Sequence, residues 1–181
     1  MLKHVPNGLT IIRILFIPII ISSFYLEDKV IARIFGASAF LIASLTDYFD
    51  GFIARKYKIN SKFGEIFDPI ADKVLVSATI LMLVNFNRIS VIPCILIISR
   101  ELIVAGLREA TVKLEINLKV SLVTKIKTML QMLGIFLLLL GSKVTRIDST
   151  DILGESMFWA AAILTVYTGA IYTIKVIQKI L

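Results

Sequence analysis

The sequence predicts an all-α polytopic membrane protein with six transmembrane helices and both termini in the cytoplasm. Three observations carry this. The 181 residues are 57% hydrophobic and their mean hydropathy is +0.89, whereas soluble domains run nearer 45–50% apolar. Apolar segments of about span length recur along the chain, a span needing about 20 such residues. The cations between those segments are unevenly shared between the two sides.

Taken in order, the apolar runs predict spans over about 9–26, 30–54, 64–86, 89–107, 128–140 and 156–174, in one six-helix domain covering 1–181. The turn-like Pro6-Asn7-Gly8 precedes the first. Its rival reading, a signal peptide, lacks the small-residue cleavage site that should follow the apolar run. Pro18 predicts a kink in that span. Arg13, one turn in, either snorkels to the headgroups or joins a polar interior. Span two ends in Asp47, Asp50 and Gly51. A basic loop over 55–63 holds Arg55, Lys56, Lys58 and Lys62. Span three opens with Asp68, Pro69, Asp72 and Lys73, and Glu65 suits the positive start of that helix. Span four contains Arg100-Glu101. A polar stretch over 108–127 leads to span five, a polar loop over 141–155 follows, and span six is 19 uncharged residues long.

With six spans, twelve Lys and Arg residues in or beside the loops fall on the N-terminal side and four (Lys29, Arg88, Lys143, Arg146) on the other. The positive-inside rule then puts both termini in the cytoplasm. The charges within spans one to four lie near that same face, which predicts one polar cavity opening to the cytoplasm. The net charge of +7 fits loops against anionic lipid, and little soluble chain remains to carry a nucleic-acid-binding face. One cysteine, Cys94, excludes an internal disulfide, and one histidine, His4, excludes a multi-histidine metal site.

The chemistry concentrates between Asp47 and Asp72. Asp47 and Asp50 are three apart and Asp68 and Asp72 four apart, so each pair shares a helix face. Four carboxylates brought together near a membrane repel one another and are costly unless neutralised. Hard divalent cations on oxygen ligands do that, and two such ions can clamp a diphosphate. Gly51, Ala54 and Gly64 are small enough for close approach of a helix or a flat nucleotide. There is no Walker-type loop, so nucleoside triphosphate hydrolysis is not indicated.

The pattern D-x2-D-G-x2-A-R-x8-G-x3-D-x3-D runs without a gap through Asp47, Asp50, Gly51, Ala54, Arg55, Gly64, Asp68 and Asp72. It resembles the signature of the CDP-alcohol phosphatidyltransferases. The resemblance implies a six-helix enzyme of the inner (cytoplasmic) membrane, usually a homodimer, that displaces CMP from a CDP-linked lipid with an alcohol. It implies two divalent cations, Mg2+ or Mn2+, on Asp47, Asp50, Asp68 and Asp72, with Asp72 also the general base. It implies CDP contacts from Gly51, Ala54, Arg55, Ser61 and Gly64, together with Asn7 and Thr10.

Further stretches resemble the bacterial phosphatidylglycerophosphate synthase branch of that family: Pro6-Asn7-Gly8-Leu9-Thr10 with Arg13, Ser99-Arg100-Glu101 with Arg108, and Lys125-Ile126-Lys127-Thr128 with Gln131. Thr124 stands where that branch would have glycine. The branch implies CDP-diacylglycerol as donor and sn-glycerol 3-phosphate as acceptor, with Arg100, Arg108, Lys125 and Lys127 meeting the acceptor's phosphate. The alternative acceptors are inositol phosphate, serine or phosphatidylglycerol. A neutral or zwitterionic acceptor would have less use for that many cations. From other classes, a membrane prenyltransferase would need a longer chain. A cation carrier would place its acids near the bilayer midplane, away from a basic loop.

Overall fold

The computed structural model describes the backbone of residues 5–57, 62–111 and 122–180, and among them the side chains of 10–46, 64, 66–111 and 122–179. These residues form seven helices and no strand: α1 (Val5–Ser23), α2 (Lys29–Tyr57), α3 (Lys62–Asn85), α4 (Val91–Ala110), α5 (Leu122–Leu140), the one-turn α6 (Ser142–Thr145) and α7 (Thr150–Ile180).

The helix boundaries follow local chemistry. Asp28 caps α2, its Oδ1 accepting from the backbone N–H of Val30 at 2.8 Å and of Ile31 at 3.1 Å. Asn87 takes a left-handed turn (φ 53°) beyond the end of α3, and the Arg88 N–H returns to the Leu83 carbonyl at 2.8 Å. Gly141 ends α5 at φ 64°, ψ 171°, a region that is essentially glycine's alone.

Several helices are longer than the apolar runs that announced them. α2 continues to Tyr57, so Arg55 and Lys56 belong to a helix rather than to the connecting loop. α5 begins at Leu122, which makes Thr124–Lys127 part of its first turns instead of a polar connector. α7 begins at Thr150 and takes in much of the 141–155 stretch. α1 stops at Ser23, short of Leu26, and Pro6, Asn7 and Gly8 lie inside its first turn, where a proline's missing N–H costs nothing. Apolar runs measure the greasy part of a span. The helix itself continues wherever its backbone groups bond internally, and Arg, Lys and Thr do not prevent that.

In the packing, α1 lies against α2 and α3, α5 against α7 and α2, and α4 against α7 and α3. Ile20, Phe40, Leu75, Ile80, Leu83, Ile97, Ile135, Leu138 and Phe158 fill the middle. α5 and α7 cross where Gly134 meets Gly154 and the Phe158 backbone. A Cβ on Gly134 would come within 3.0 Å of the Gly154 carbonyl. The outside of the bundle is apolar, with Leu15, Ile31, Leu81, Ile95, Leu102, Met129, Ile163 and Tyr167 all more than half exposed. Such a large apolar exterior suits lipid rather than water.

Among the described residues, three helices contain a stretch long and apolar enough to cross a membrane: Lys29–Thr46, Leu122–Leu140 and Thr150–Lys179. α1 offers the shorter apolar run Thr10–Ser23. α3 and α4 do not qualify on composition, because Glu65, Asp68, Asp72 and Lys73, and Arg100, Glu101 and Arg108, interrupt them.

At the end of the bundle away from Asp72, two arginines close the C-terminus of α5. Arg33 Nη1 donates to the Leu140 carbonyl at 3.1 Å and Arg88 Nη1 to the Leu139 carbonyl at 3.4 Å. These carbonyls have no partner within the helix, and cations there also meet its negative pole. The Arg88 guanidinium lies 4.8 Å over the Phe24 ring, and burial, with Arg33 nearby, pulls its pKa down to about 10. Asp151 completes the cluster by accepting from the Ser142 N–H at 3.0 Å. Cys94 is buried in the core, its Sγ on the Ser90 carbonyl at 3.2 Å.

Gly141 sits inside this cluster, and a Cβ on it would fall 1.5 Å from Arg33 Nη1. Gly141→Ala should therefore destabilise the fold by about 2 kcal/mol or more, read as a lower thermal unfolding midpoint in detergent. Gly106→Ala, with nothing within 4 Å of the added Cβ, should leave the midpoint unchanged or raise it slightly.

Candidate active site

α3 presents Asp68 and Asp72 one turn apart. Asp68 is partly buried and ties α3 to α1. The Thr10 hydroxyl donates to Asp68 Oδ1, and Arg13 Nη1 donates to the Asp68 backbone carbonyl at 3.5 Å. Arg13 is fully buried, so it turns into the bundle and does not snorkel to the surface.

Asp72 opens onto a polar cavity of about 200 Å³ between α3, α4 and α5. Three helical stripes line it. α3 contributes Asp72, Lys73, Val76, Ser77 and Ile80; α4 contributes Ile97, Arg100, Glu101 and Arg108; α5 contributes Thr124, Lys127, Thr128 and Gln131. On α3 and α5 these positions recur at three- and four-residue steps, and on α4 Arg108 lies two turns beyond Glu101, so each set shares one face. Four cations (Lys73, Arg100, Arg108, Lys127) face two carboxylates (Asp72, Glu101), which leaves an excess of two positive charges when all are ionised. Sites for drug-sized ligands run about 300–1,000 Å³, so this cavity suits a smaller molecule, and its charge suits a doubly negative one.

Glu101 organises the cations. One oxygen, Oε1, accepts from Lys127 Nζ at 2.7 Å and from Arg100 Nη1 at 2.8 Å. The Lys127 side chain is only 4% exposed, so its ammonium depends on that carboxylate. Arg100 is also held from the far side, where Nη2 donates to Thr168 Oγ1 on α7 at 3.4 Å.

The sequence-predicted site residues divide into three groups. Asp72, Arg100, Arg108 and Lys127 come together around the cavity, and Thr10 and Asp68 meet each other beside it. Lys125 is exposed and does not line the cavity. Within a helix, residues two apart point to nearly opposite faces, so once α5 starts at Leu122, Lys125 and Lys127 cannot share one. Asn7, Asp47, Asp50, Gly51, Ala54 and Arg55 lie on described helical backbone, but their side chains lie outside the described residues, as do Ser61 entirely and the Glu65 side chain. Gly64 is buried at the start of α3. Among the described residues no cluster of three metal-ligating side chains occurs, and two of the four proposed ligands lie outside that description.

Sequence reasoning passed over Lys73 and Ser77 as lining residues and Glu101 as the anion between two cations. The periodic stripe Lys73, Val76/Ser77, Ile80 was available as a signal. The partnership of Glu101 with Lys127 was not, since they are 26 positions apart.

A family model described as CDP-alcohol phosphatidyltransferase matches residues 3–167. The chain belongs to the CDP-alcohol phosphatidyltransferase family. Among curated relatives, the CDP-diacylglycerol–glycerol-3-phosphate 3-phosphatidyltransferase of Rickettsia felis is 48% identical over 170 residues, covering 94% of this chain and 93% of the relative. The protein of the same name from Rickettsia typhi is also 48% identical, covering 94% and 96%. That from Cereibacter sphaeroides is 35% identical, covering 86% and 71%. The family match takes in α1 to α5 and more than half of α7, so it extends well past the last branch-like motif at Gln131.

In this CDP-alcohol phosphatidyltransferase the Glu101 contacts make a specific demand on stability. Glu101→Gln leaves Arg100 and Lys127 facing each other without a carboxylate. It should cost about 2 kcal/mol, less than the roughly 3–5 kcal/mol of breaking a fully buried pair, because Glu101 is 30% exposed. Adding Lys127→Met removes the stranded ammonium and should recover part of the loss. Thermal unfolding of the two single variants and the double variant measures the coupling, and strictly additive losses would show that the pair does not interact.

Proposed function

We propose that the protein transfers the phosphatidyl group of CDP-diacylglycerol to sn-glycerol 3-phosphate, giving phosphatidylglycerophosphate and CMP. The observation that carries this reading is the cavity in which Asp72 faces Arg100, Arg108, Lys127 and Lys73. A base and a surplus of cations in one small space suit an acceptor that carries both a hydroxyl and a phosphate. The names of the relatives, which specify glycerol 3-phosphate, support the same acceptor. An acceptor such as serine, with no phosphate, would leave that positive charge uncompensated.

The donor set also fits divalent cations. Asp47, Asp50, Asp68 and Asp72 supply only carboxylate oxygens, as Mg2+ or Mn2+ prefers. Asp68 and Asp72 share one face of α3, and α2, which carries the other two, packs beside α3. Asp47, Asp50, Asp68 and Asp72 would hold two such ions, which when bound offset the negative charge on the donor's diphosphate. Thr10, hydrogen-bonded to Asp68, and Arg13, against the same residue's carbonyl, hold that carboxylate in place. The CDP moiety would lie along Asn7, Gly51, Ala54, Arg55, Ser61 and Gly64.

In the reaction, Arg100, Arg108 and Lys127 hold the acceptor's phosphate, with Arg the better geometric match to phosphate oxygens. Lys73 adds to the positive field. This fixes the 1-hydroxyl toward Asp72, which takes its proton. The oxygen attacks the phosphorus on the lipid side of the diphosphate, the bond from that phosphorus to the bridging oxygen breaks, and CMP departs. Positioning two anions against each other without water between them is a large part of the rate gain.

In the membrane, the protein has six spans, α1 to α5 and α7, with both termini and the cavity at the cytoplasmic face of the inner membrane, and it works as a homodimer. What supports six spans despite the charges of α3 and α4 is where those charges sit. Asp72, Arg100, Glu101 and Arg108 line the cavity, and Ile70, Val74, Leu81, Ile92, Ile95, Leu102 and Ile103 occupy exposed positions on the same two helices.

Purified protein given CDP-diacylglycerol and Mg2+ should release CMP with glycerol 3-phosphate and not with inositol 1-phosphate, serine or phosphatidylglycerol. Chelation should abolish the release. Asp72→Asn should keep the unfolding midpoint while lowering kcat by about a thousandfold, within the usual worth of a general base. Full turnover by that variant would overturn the role of Asp72. Release with another acceptor alone would overturn the choice of acceptor.

A further inference from the structure

Arg100 stands at a junction. On one side its guanidinium enters the polar cavity and bonds to Glu101. On the other its stem lies against α7, a helix that lines no part of that cavity. Two α7 residues make this contact. Thr168 Oγ1 accepts from Arg100 Nη2 at 3.4 Å and donates in turn to the Leu164 carbonyl at 2.8 Å, so its oxygen is itself fixed in place. Gly169, buried, lets the stem pass close by. A Cβ there would fall 2.6 Å from Arg100 Cγ and 3.0 Å from its Nε. Those are mid-chain atoms, so the whole side chain would have to leave its present course. There is space for it to do so. An apolar groove of about 270 Å³ between α4 and α7, lined by Ile95, Ile103, Val166 and Ala170 among others, borders Arg100 on the membrane side.

We infer that α7 sets the acceptor site from outside: Thr168 and Gly169 are positioning residues that hold the Arg100 guanidinium in the cavity, opposite Lys127 and Arg108. This rests on the proposed transfer to glycerol 3-phosphate. Neither residue touches the acceptor; both act through Arg100. The inference gives a catalytic consequence to the C-terminal helix, which carries no charge along its apolar span and none of the signature residues.

The test uses the full-length enzyme in detergent, with CMP release as the assay. Gly169→Ala should raise KM for glycerol 3-phosphate about tenfold, the size expected for misplacing one charge-assisted contact. KM for CDP-diacylglycerol should stay within twofold. The unfolding midpoint should fall only modestly, because displacing Arg100 from Glu101 and Thr168 costs stability while alanine is the better helix former. Thr168→Val, similar in shape without the hydroxyl, should raise the same KM by a smaller factor. In an Arg100→Met background, Gly169→Ala should add nothing further. An unchanged KM for glycerol 3-phosphate in Gly169→Ala would overturn the inference, as would equal rises in both KM values with a steeply lowered midpoint, the mark of a general packing defect. If the wild-type enzyme releases CMP only with a different acceptor, the proposed function fails, and the same comparison run with that acceptor decides the role of α7 separately.

Discussion

Charge buried in an apolar bundle has to be answered by charge. That constraint shapes the interior of this protein. A guanidinium or carboxylate moved out of water loses several kcal/mol of solvation, regained only through close, well-aligned partners. Arg13 bonds to the Asp68 backbone carbonyl, and Arg100 and Lys127 both answer to the Glu101 carboxylate. The Arg13 contact joins α1 to α3 and the Lys127–Glu101 pair joins α5 to α4, with Thr168 on α7 holding Arg100 in turn. The polar contacts that keep the charges soluble inside the bundle therefore also fix how its helices sit, and they bring a base and a set of cations to one cavity.

The two ends of the bundle use the same physics for different purposes. At the far end, Arg33 and Arg88 are spent on the terminal carbonyls of α5, and Asp151 on the start of α6. These charges are saturated by backbone and by one another, which leaves a rigid clasp around Gly141. At the Asp72 end the cations outnumber the carboxylates, and the surplus is left facing a cavity. A surplus of like charge around one cavity is a cost to the empty protein that a ligand of opposite sign relieves. That asymmetry separates a structural end from the end at which the acceptor site is proposed.

Length and composition made much of this legible before any coordinates. The all-helical class, the apolar exterior and the membership of Asp68 and Asp72 in one helix face follow from patterns in a few consecutive turns. Helix ends were less legible, because the limits of an apolar run are set by lipid contact and those of a helix by backbone hydrogen bonding. The misplaced start of α5 shows the consequence. With Thr124 to Lys127 read as connector, Lys125 and Lys127 looked equivalent. Inside a helix they point to opposite faces, and only Lys127 reaches the cavity.

The sequence by itself determined the family signature, the residue types of the site and their spacing along each helix, because these are properties of neighbouring residues and of the 3.6-residue turn. Only the tertiary structure decided which cations converge, that one oxygen of Glu101 serves both Arg100 and Lys127, that Arg13 is buried on Asp68, and that a glycine on α7 makes room for Arg100. Apart from the neighbours Arg100 and Glu101, these contacts join residues 26 to 69 positions apart along the chain. No local pattern encodes them, since they arise from how helices cross once their apolar faces have packed.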